Sequence, residues 1–265
     1  MTSGTPDRPA LTVALDPDRH VATVEIHRPP NNFFDYDLIH EIANTYERLD
    51  AEPRCRAIVL CSEGRHFCAG ADFSAREKWS QERLDRQAGR LYVEAVRVFS
   101  CTKPVIAAVQ GAAVGGGLGL ALSADFRIAC EESRFVANFA RLGIHQGFGL
   151  SVTLPRLVGA NQAALMLYTG RRLKGAEAVE IGLADALVER ADVRDRALVL
   201  ATEIAQSAPL AVQSIRATLR RGLAEAVREA TDHELAEQSR LRQSDDHQEG
   251  VAATAERRLA DFKGR

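Results

Sequence analysis

Three consecutive glycines, Gly115, Gly116 and Gly117, stand inside the uncharged stretch Pro104–Ala124, PVIAAVQGAAVGGGLGLALSA. The chemistry available there belongs to the backbone. Glycine lets the main chain approach another group closely, because no Cβ intervenes. Amide N–H groups at the start of a buried helix lack an internal partner and attract negative charge. Such a turn can bind an anion or form an oxyanion hole. Tight packing alone is the competing reading of the same glycines. Among side chains, His145 lies between Gly143 and Gly149. Histidine as a residue type is a competent acid or base, with a histidine merely bonded to backbone as the alternative. Cys68 reads as buried filler rather than a nucleophile.

Three other functions fail on the residues. A membrane span is excluded by five glycines, Gln110, the opening Pro104 and the closing Asp125 and Arg127. The last glycine of a G-x-G-x-x-G fingerprint would fall on Leu120 or Leu122. No Lys-Ser or Lys-Thr follows the glycines, so there is no phosphate loop.

The elements that must position these groups follow from periodicity. Val105–Val109 reads as a strand before the glycine turn, and Leu118–Ser123 as a short helix after it. Val21–Arg28 and Ala57–Cys61 are strands. Ile39, Ile42, Tyr46 and Leu49 recur at helical spacing and predict a helix over Tyr36–Ala51, with Asp37 as its capping carboxylate. Leu84, Ala88, Leu91, Ala95 and Phe99 mark a second helix. A loop, Gly64–Ala75, separates it from the preceding strand. Phe126–Cys130, Phe135–Val136 and Ala184–Val188 are short strands. From Asn161 the chain turns helical: Asn161–Thr169, Gly175–Ile181, Asp192–Gln206, Pro209–Arg221, Leu223–Gln243 and Asp245–Ala260. Strands alternating with helices, then helices alone, predict an α/β core with a helical appendage.

The 265 residues suffice for one large domain or a domain with an appendage. Hydrophobic content of 46% and charged content of 26% fit a soluble globular chain. A net charge of −2 gives no electrostatic case for nucleic acid or membrane partners. The opening segment is polar and lacks an apolar signal region. The five cysteines lack metal-type spacing and read as reduced thiols of a cytoplasmic protein.

Two loops form a pair: Phe67-Cys68-Ala69-Gly70-Ala71-Asp72, and the glycine run preceded by Lys103-Pro104-Val105-Ile106-Ala107-Ala108-Val109-Gln110-Gly111. Together with Asp125, these strongly resemble the crotonase (enoyl-CoA hydratase/isomerase) superfamily. The likeness extends through Pro155–Gly159 and Gly175–Ala184 to the tail at Phe262-Lys263. It implies a crotonase-like ββα spiral core over residues 1–205 and a helical oligomerisation region over 206–265. It implies a trimer or hexamer, and an acyl-CoA thioester as substrate with no separate cofactor and no metal. The oxyanion-hole donors would be the N–H groups of Ala71 and Gly116. Ala69, Asp72, Phe73 and Trp79 would surround the acyl group, with core packing the alternative for Phe73 and Trp79. By side-chain size, Phe139 and Phe148 would join those two aromatics in an apolar chamber suited to a bulky or aromatic acyl group. Asn31, Arg76 and Lys263 would meet coenzyme A, with Lys78 a further candidate and a solvated surface pair the alternative for Arg76 and Lys78. His66 is expected to face solvent or coenzyme A.

The chain also departs from that pattern. Hydratases of the family use two glutamates, and Gly119 and Phe139 stand at those positions. Neither can move a proton. Two-carboxylate hydration of crotonyl-CoA is therefore not expected, and His145 becomes the candidate acid or base. The nearest carboxylates, Glu131 and Glu132, read as a solvated turn. An acyl-CoA-binding protein without chemistry is the reading from another class.

Overall fold

A computed structural model of the chain describes residues 9–72 and 79–265. Its first strands, β1 (Leu11–Asp16) and β2 (Val21–Ile26), pair antiparallel. Beside β2 run β3 (Ala57–Ser62), β4 (Val105–Val109), β6 (Phe126–Ala129) and β9 (Ala186–Leu187), each parallel to its neighbour. Every residue of β3 and β4 is buried, as a strand covered on both faces must be. A second, smaller sheet is built from β5 (Ala112–Val114), β7 (Arg134–Val136) and β8 (Arg172–Lys174). Gln110 and Gly111 join β4 to β5, so one chain segment passes from the large sheet to the small one.

Helices α1 (Tyr36–Asp50) and α2 (Gln81–Phe99) cover one face of the large sheet. Their apolar residues Ile39, Ile42, Leu91 and Ala95 join the main core. Helix α3 (Gly116–Ser123) is buried in that core. Helices α4 (Leu150–Thr169) and α5 (Gly175–Glu180) follow. Helix α6 (Val193–Ala205) covers the opposite face, packing Val193, Ala197 and Ala201 on Val59, Ile106 and Ile128. The chain closes with α7 (Pro209–Leu219), α8 (Leu223–Leu241) and α9 (Asp245–Glu256). Among the described residues no single helix is long and apolar enough to cross a membrane.

Most expected elements appear within a residue or two, and the differences have causes. Helix α3 begins at Gly116 rather than Leu118, because Gly119 N–H already bonds the Gly115 carbonyl at 3.1 Å. Helix α4 starts at Leu150, eleven residues before the expected Asn161, and is interrupted at Gly159, whose φ of 77° is non-helical. The cap of α1 is Asp35, which accepts from Leu38 N–H at 3.0 Å, and not Asp37, which lies in the first turn. Strands β1, β5 and β8 were not anticipated. β5 and β8 are three residues long, too short to show a period. The last helix ends at Glu256, short of Ala260, at a left-handed Arg257.

Candidate active site

The two loops singled out in the sequence lie against each other. Cys68 pairs with Ala113 as a parallel bridge, which adds the Phe67–Ala69 segment to the edge of β5. Cys68 N–H bonds the Ala112 carbonyl at 2.9 Å, and Val114 N–H bonds the Cys68 carbonyl at 3.0 Å. The glycines permit this approach. A Cβ on Gly117 would overlap the Cys68 carbonyl, and one on Gly70, which has φ +86°, would stand 2.7 Å from the Val114 carbonyl. Gly115 takes φ 55° and turns the chain into α3. Its own N–H is used by the Val136 carbonyl at 2.9 Å.

The amides of Ala71 and Gly116 adjoin this junction in the chain. Among the described residues neither donates to a backbone carbonyl. Both residues are half-buried, whereas Gly70, Gly115 and Gly117 are buried. Gly116 opens a helix with no side-chain cap, so its N–H adds the helix-terminal dipole to its own. From the other side the loop is braced by Asn31, whose carbonyl accepts Ala69 N–H at 2.9 Å, and by Phe34 N–H, which bonds the Gly70 carbonyl at 3.0 Å. Asn32 is fully buried and ties the same turn to the strand-loop junction through the carbonyls of Glu63 and His66, at 2.8 and 2.7 Å.

Aromatic rings close the space over the first turn of α3. The Phe34 ring lies where a Cβ on Gly116 would project. A Cβ on Gly119 would be 2.8 Å from Phe148 Cδ1. The rings of Phe34 and Phe148 meet edge to face, with centroids 5.5 Å apart. Phe139 and Asn138 stand on the Gly115 side, each 3.7 Å from where a Cβ of Gly115 would be. Phe148 is 1% exposed, so it fills volume rather than lining an open chamber.

The other expected site residues have the following surroundings. His145 is half-buried, with its Nδ1 2.9 Å from the Gln146 carbonyl and its ring edge-on to His233 of α8 at 5.7 Å. His66 Nδ1 accepts Ala112 N–H at 3.3 Å, and burial lowers the pKa of its ring, which keeps that nitrogen an acceptor. Cys68 is buried and its thiol is pushed up to about 12 by desolvation, so it is no nucleophile near neutrality. Trp79 lies under the Arg83 guanidinium, 4.1 Å from its centroid. Lys263 is exposed, with Nζ 2.7 Å from Asp261. Asp72 continues the first loop, half-buried. Glu131 and Glu132 are exposed, as a solvated turn should be. Phe73, Arg76 and Lys78 lie outside the described residues. Phe34 was missed by sequence reasoning, although it directly follows the Pro-Pro-Asn-Asn turn and precedes the α1 cap.

The enoyl-CoA hydratase/isomerase profile matches residues 17–265. A probable enoyl-CoA hydratase of Bacillus subtilis is 32% identical over 256 residues, covering 95% of this chain and 98% of that protein. A carnitinyl-CoA dehydratase of Proteus mirabilis is 35% identical over 250 residues, covering 92% and 95%. The crystal structure of an enoyl-CoA hydratase/isomerase from Pseudoalteromonas atlantica superposes with a TM-score of 0.85 at 28% identity, over 96% of this chain and all of that one.

Proposed function

Because the chain belongs to the enoyl-CoA hydratase/isomerase family and is an enzyme of that family, we propose that it processes acyl-CoA thioesters by stabilising a thioester enolate. The amides of Ala71 and Gly116 receive the thioester oxygen. As charge moves onto that oxygen, two preorganised donors stabilise it more than they stabilise the ground state. The observation that carries this reading is the junction of the two loops, where glycines let the backbones meet and two half-buried amides stay unused by the described backbone.

Hydration through two carboxylates does not fit these residues. Gly119 and Phe139 carry no proton-transfer group, and the Phe148 ring occupies the space beside Gly119. Reactions open to the site are hydration or a double-bond shift by an altered base, decarboxylation, and thioester or C–C bond hydrolysis, with His145 as the candidate acid or base. The exposed Leu210, Ile215 and Leu219 of α7 support self-association through the C-terminal helices, as a trimer or hexamer.

Two measurements test the proposal. Ala71→Pro deletes the amide hydrogen and Ala71→Gly retains it. With a thioester that the wild type turns over, the proline variant loses roughly 10²–10³ in turnover and the glycine variant loses little. Equal losses in both would remove Ala71 from the site. Crotonyl-CoA, followed by its enoyl absorbance, is expected to be hydrated poorly by the wild type. Rapid hydration would overturn the assignment of Gly119 and Phe139, and its loss in His145→Ala would identify the base.

A further inference from the structure

Phe148 sits in a conformation that a bulky residue adopts at a cost. Its φ is 60°, in the left-handed region, between Gly147 and Gly149. Such a residue persists only where its surroundings over-determine it. The surroundings here come from α2 and α8, not from the segment itself.

Glu234 of α8 is fully buried. Its carboxylate accepts Gly149 N–H at 2.9 Å, Ser151 N–H at 3.1 Å and the Ser151 hydroxyl at 2.7 Å. It thereby caps the start of α4 immediately after Phe148, where the helix has no cap of its own. Desolvation raises its pKa, and those three bonds oppose the rise. One turn along α8, Gln238 Nε2 donates to the carbonyls of His145 and Gln146, at 3.0 and 3.2 Å. Tyr92 of α2 donates to Gln238 Oε1 at 2.9 Å, and its hydroxyl abuts Gly147 so closely that a Cβ there would overlap it. Val227 of α8 packs on Gly149. Polar groups from two helices thus hold both flanks of Phe148, while the ring itself meets the rings of Phe34 and Phe99 and the face of α3 at Gly119.

Resting on the acyl-CoA reading above, we infer that Phe148 is the specificity-determining floor of the acyl site, limiting how long an acyl chain can extend past the first turn of α3, and that Glu234 is its positioning residue. Three of the first four residues of α3 carry no side chain: Gly116 faces the Phe34 ring, Gly117 faces the Cys68 carbonyl, and Gly119 opens the space beside Phe34. Phe148 occupies that space, and it is reached from Gly116 across the Phe34 ring. The ligand class is therefore a short acyl thioester, and a longer chain needs the ring displaced.

The test uses the full-length protein in its native assembly. Butyryl-, hexanoyl-, octanoyl- and decanoyl-CoA are titrated by calorimetry, so that the readout does not depend on which reaction the enzyme performs. Wild-type affinity stops rising early in the series. In Phe148→Ala it continues to rise, with octanoyl-CoA bound about tenfold more tightly than by the wild type and butyryl-CoA nearly unchanged. Phe148→Leu, which keeps an apolar plug, gives an intermediate profile and serves if the alanine variant fails to fold. Glu234→Gln shifts the length profile in the same direction. Length profiles of the Phe148 variants parallel to that of the wild type overturn the floor. A Glu234 variant that melts earlier with an unchanged profile overturns the positioning role. Failure of the wild type to bind any of the four thioesters instead removes the acyl-CoA reading, and this inference with it.

Discussion

At its first turn, helix α3 is enclosed by the rings of Phe34 and Phe148, and no side chain caps its free amides. Just past its last turn stands Asp125, which accepts from Arg216 Nε at 2.8 and 3.0 Å, Arg220 Nη1 at 3.0 Å and Val105 N–H at 2.8 Å. Two residues on, the buried guanidinium of Arg127 bonds the carbonyls of Leu183 and Ala124 and the Asp185 carboxylate. One end of an eight-residue helix is held by shape and the other by charge. The physical difference is what each end leaves over. Apolar enclosure consumes no donors, so amides remain for a ligand. The ion-pair end uses the Asp125 carboxylate and most of its guanidinium groups on the protein, with Arg216 Nη2 and Arg220 Nε left buried without a hydrogen-bond partner among the described residues, and it anchors α7 to the core.

Substitutions can break this contrast. The largest effect is expected from Asp125→Ala, which strands Arg216 and Arg220 with little solvent. It should cost about 3 kcal/mol in urea unfolding, because an uncompensated buried charge is worse than none. Adding Arg220→Ala should recover part of that loss, and acyl-CoA binding by the folded fraction should be unchanged. Gly117→Ala is the converse experiment. Its methyl would overlap the Cys68 carbonyl, so about 2 kcal/mol is expected. Acyl-CoA affinity should fall with it, since the two loops must separate. If Asp125→Ala abolished binding while Gly117→Ala spared it, the contrast between the ends would be reversed.

The smallest effect concerns the mount of the Phe148 segment. His247 of α9 is set 2.7 Å from the Leu142 carbonyl, and burial depresses its pKa, with Arg242 adding to the effect. The folded protein then binds fewer protons at this ring than the unfolded chain does. Stability is complete above the ordinary histidine value and declines as pH falls through that value toward the depressed one. Unfolding free energies measured between about pH 8 and about pH 5 should fall more steeply for the wild type than for His247→Gln. Identical slopes would remove His247 from the pH response.

Legibility in the sequence followed the range of the interactions. The α1 and α2 helices and strand β4 were readable because their burial repeats at 3.6 or runs unbroken over five residues. The paired loops were readable from their glycines. Phe34 and Glu234 were not. Phe34 touches Gly116 across 82 positions of chain, and Glu234 bonds Gly149 across 85, and neither residue lies in a pattern that announces its partner. For the same reason Phe148 was expected to wall an open chamber, whereas its ring is packed against Gly119.

What the chain determines by itself is local: which segments twist into strands, where a missing Cβ frees the backbone, and which positions lack a group able to carry a proton. These depend on neighbouring residues and on side-chain chemistry, both present in the linear order. Only the tertiary structure decided that the Ala71 and Gly116 amides stay unused by the described backbone, that two phenylalanines fill the room beside them, and that a carboxylate from the C-terminal helices holds one of those rings in place. Those outcomes depend on contacts between residues far apart in the chain, and their distances exist only once the core has closed.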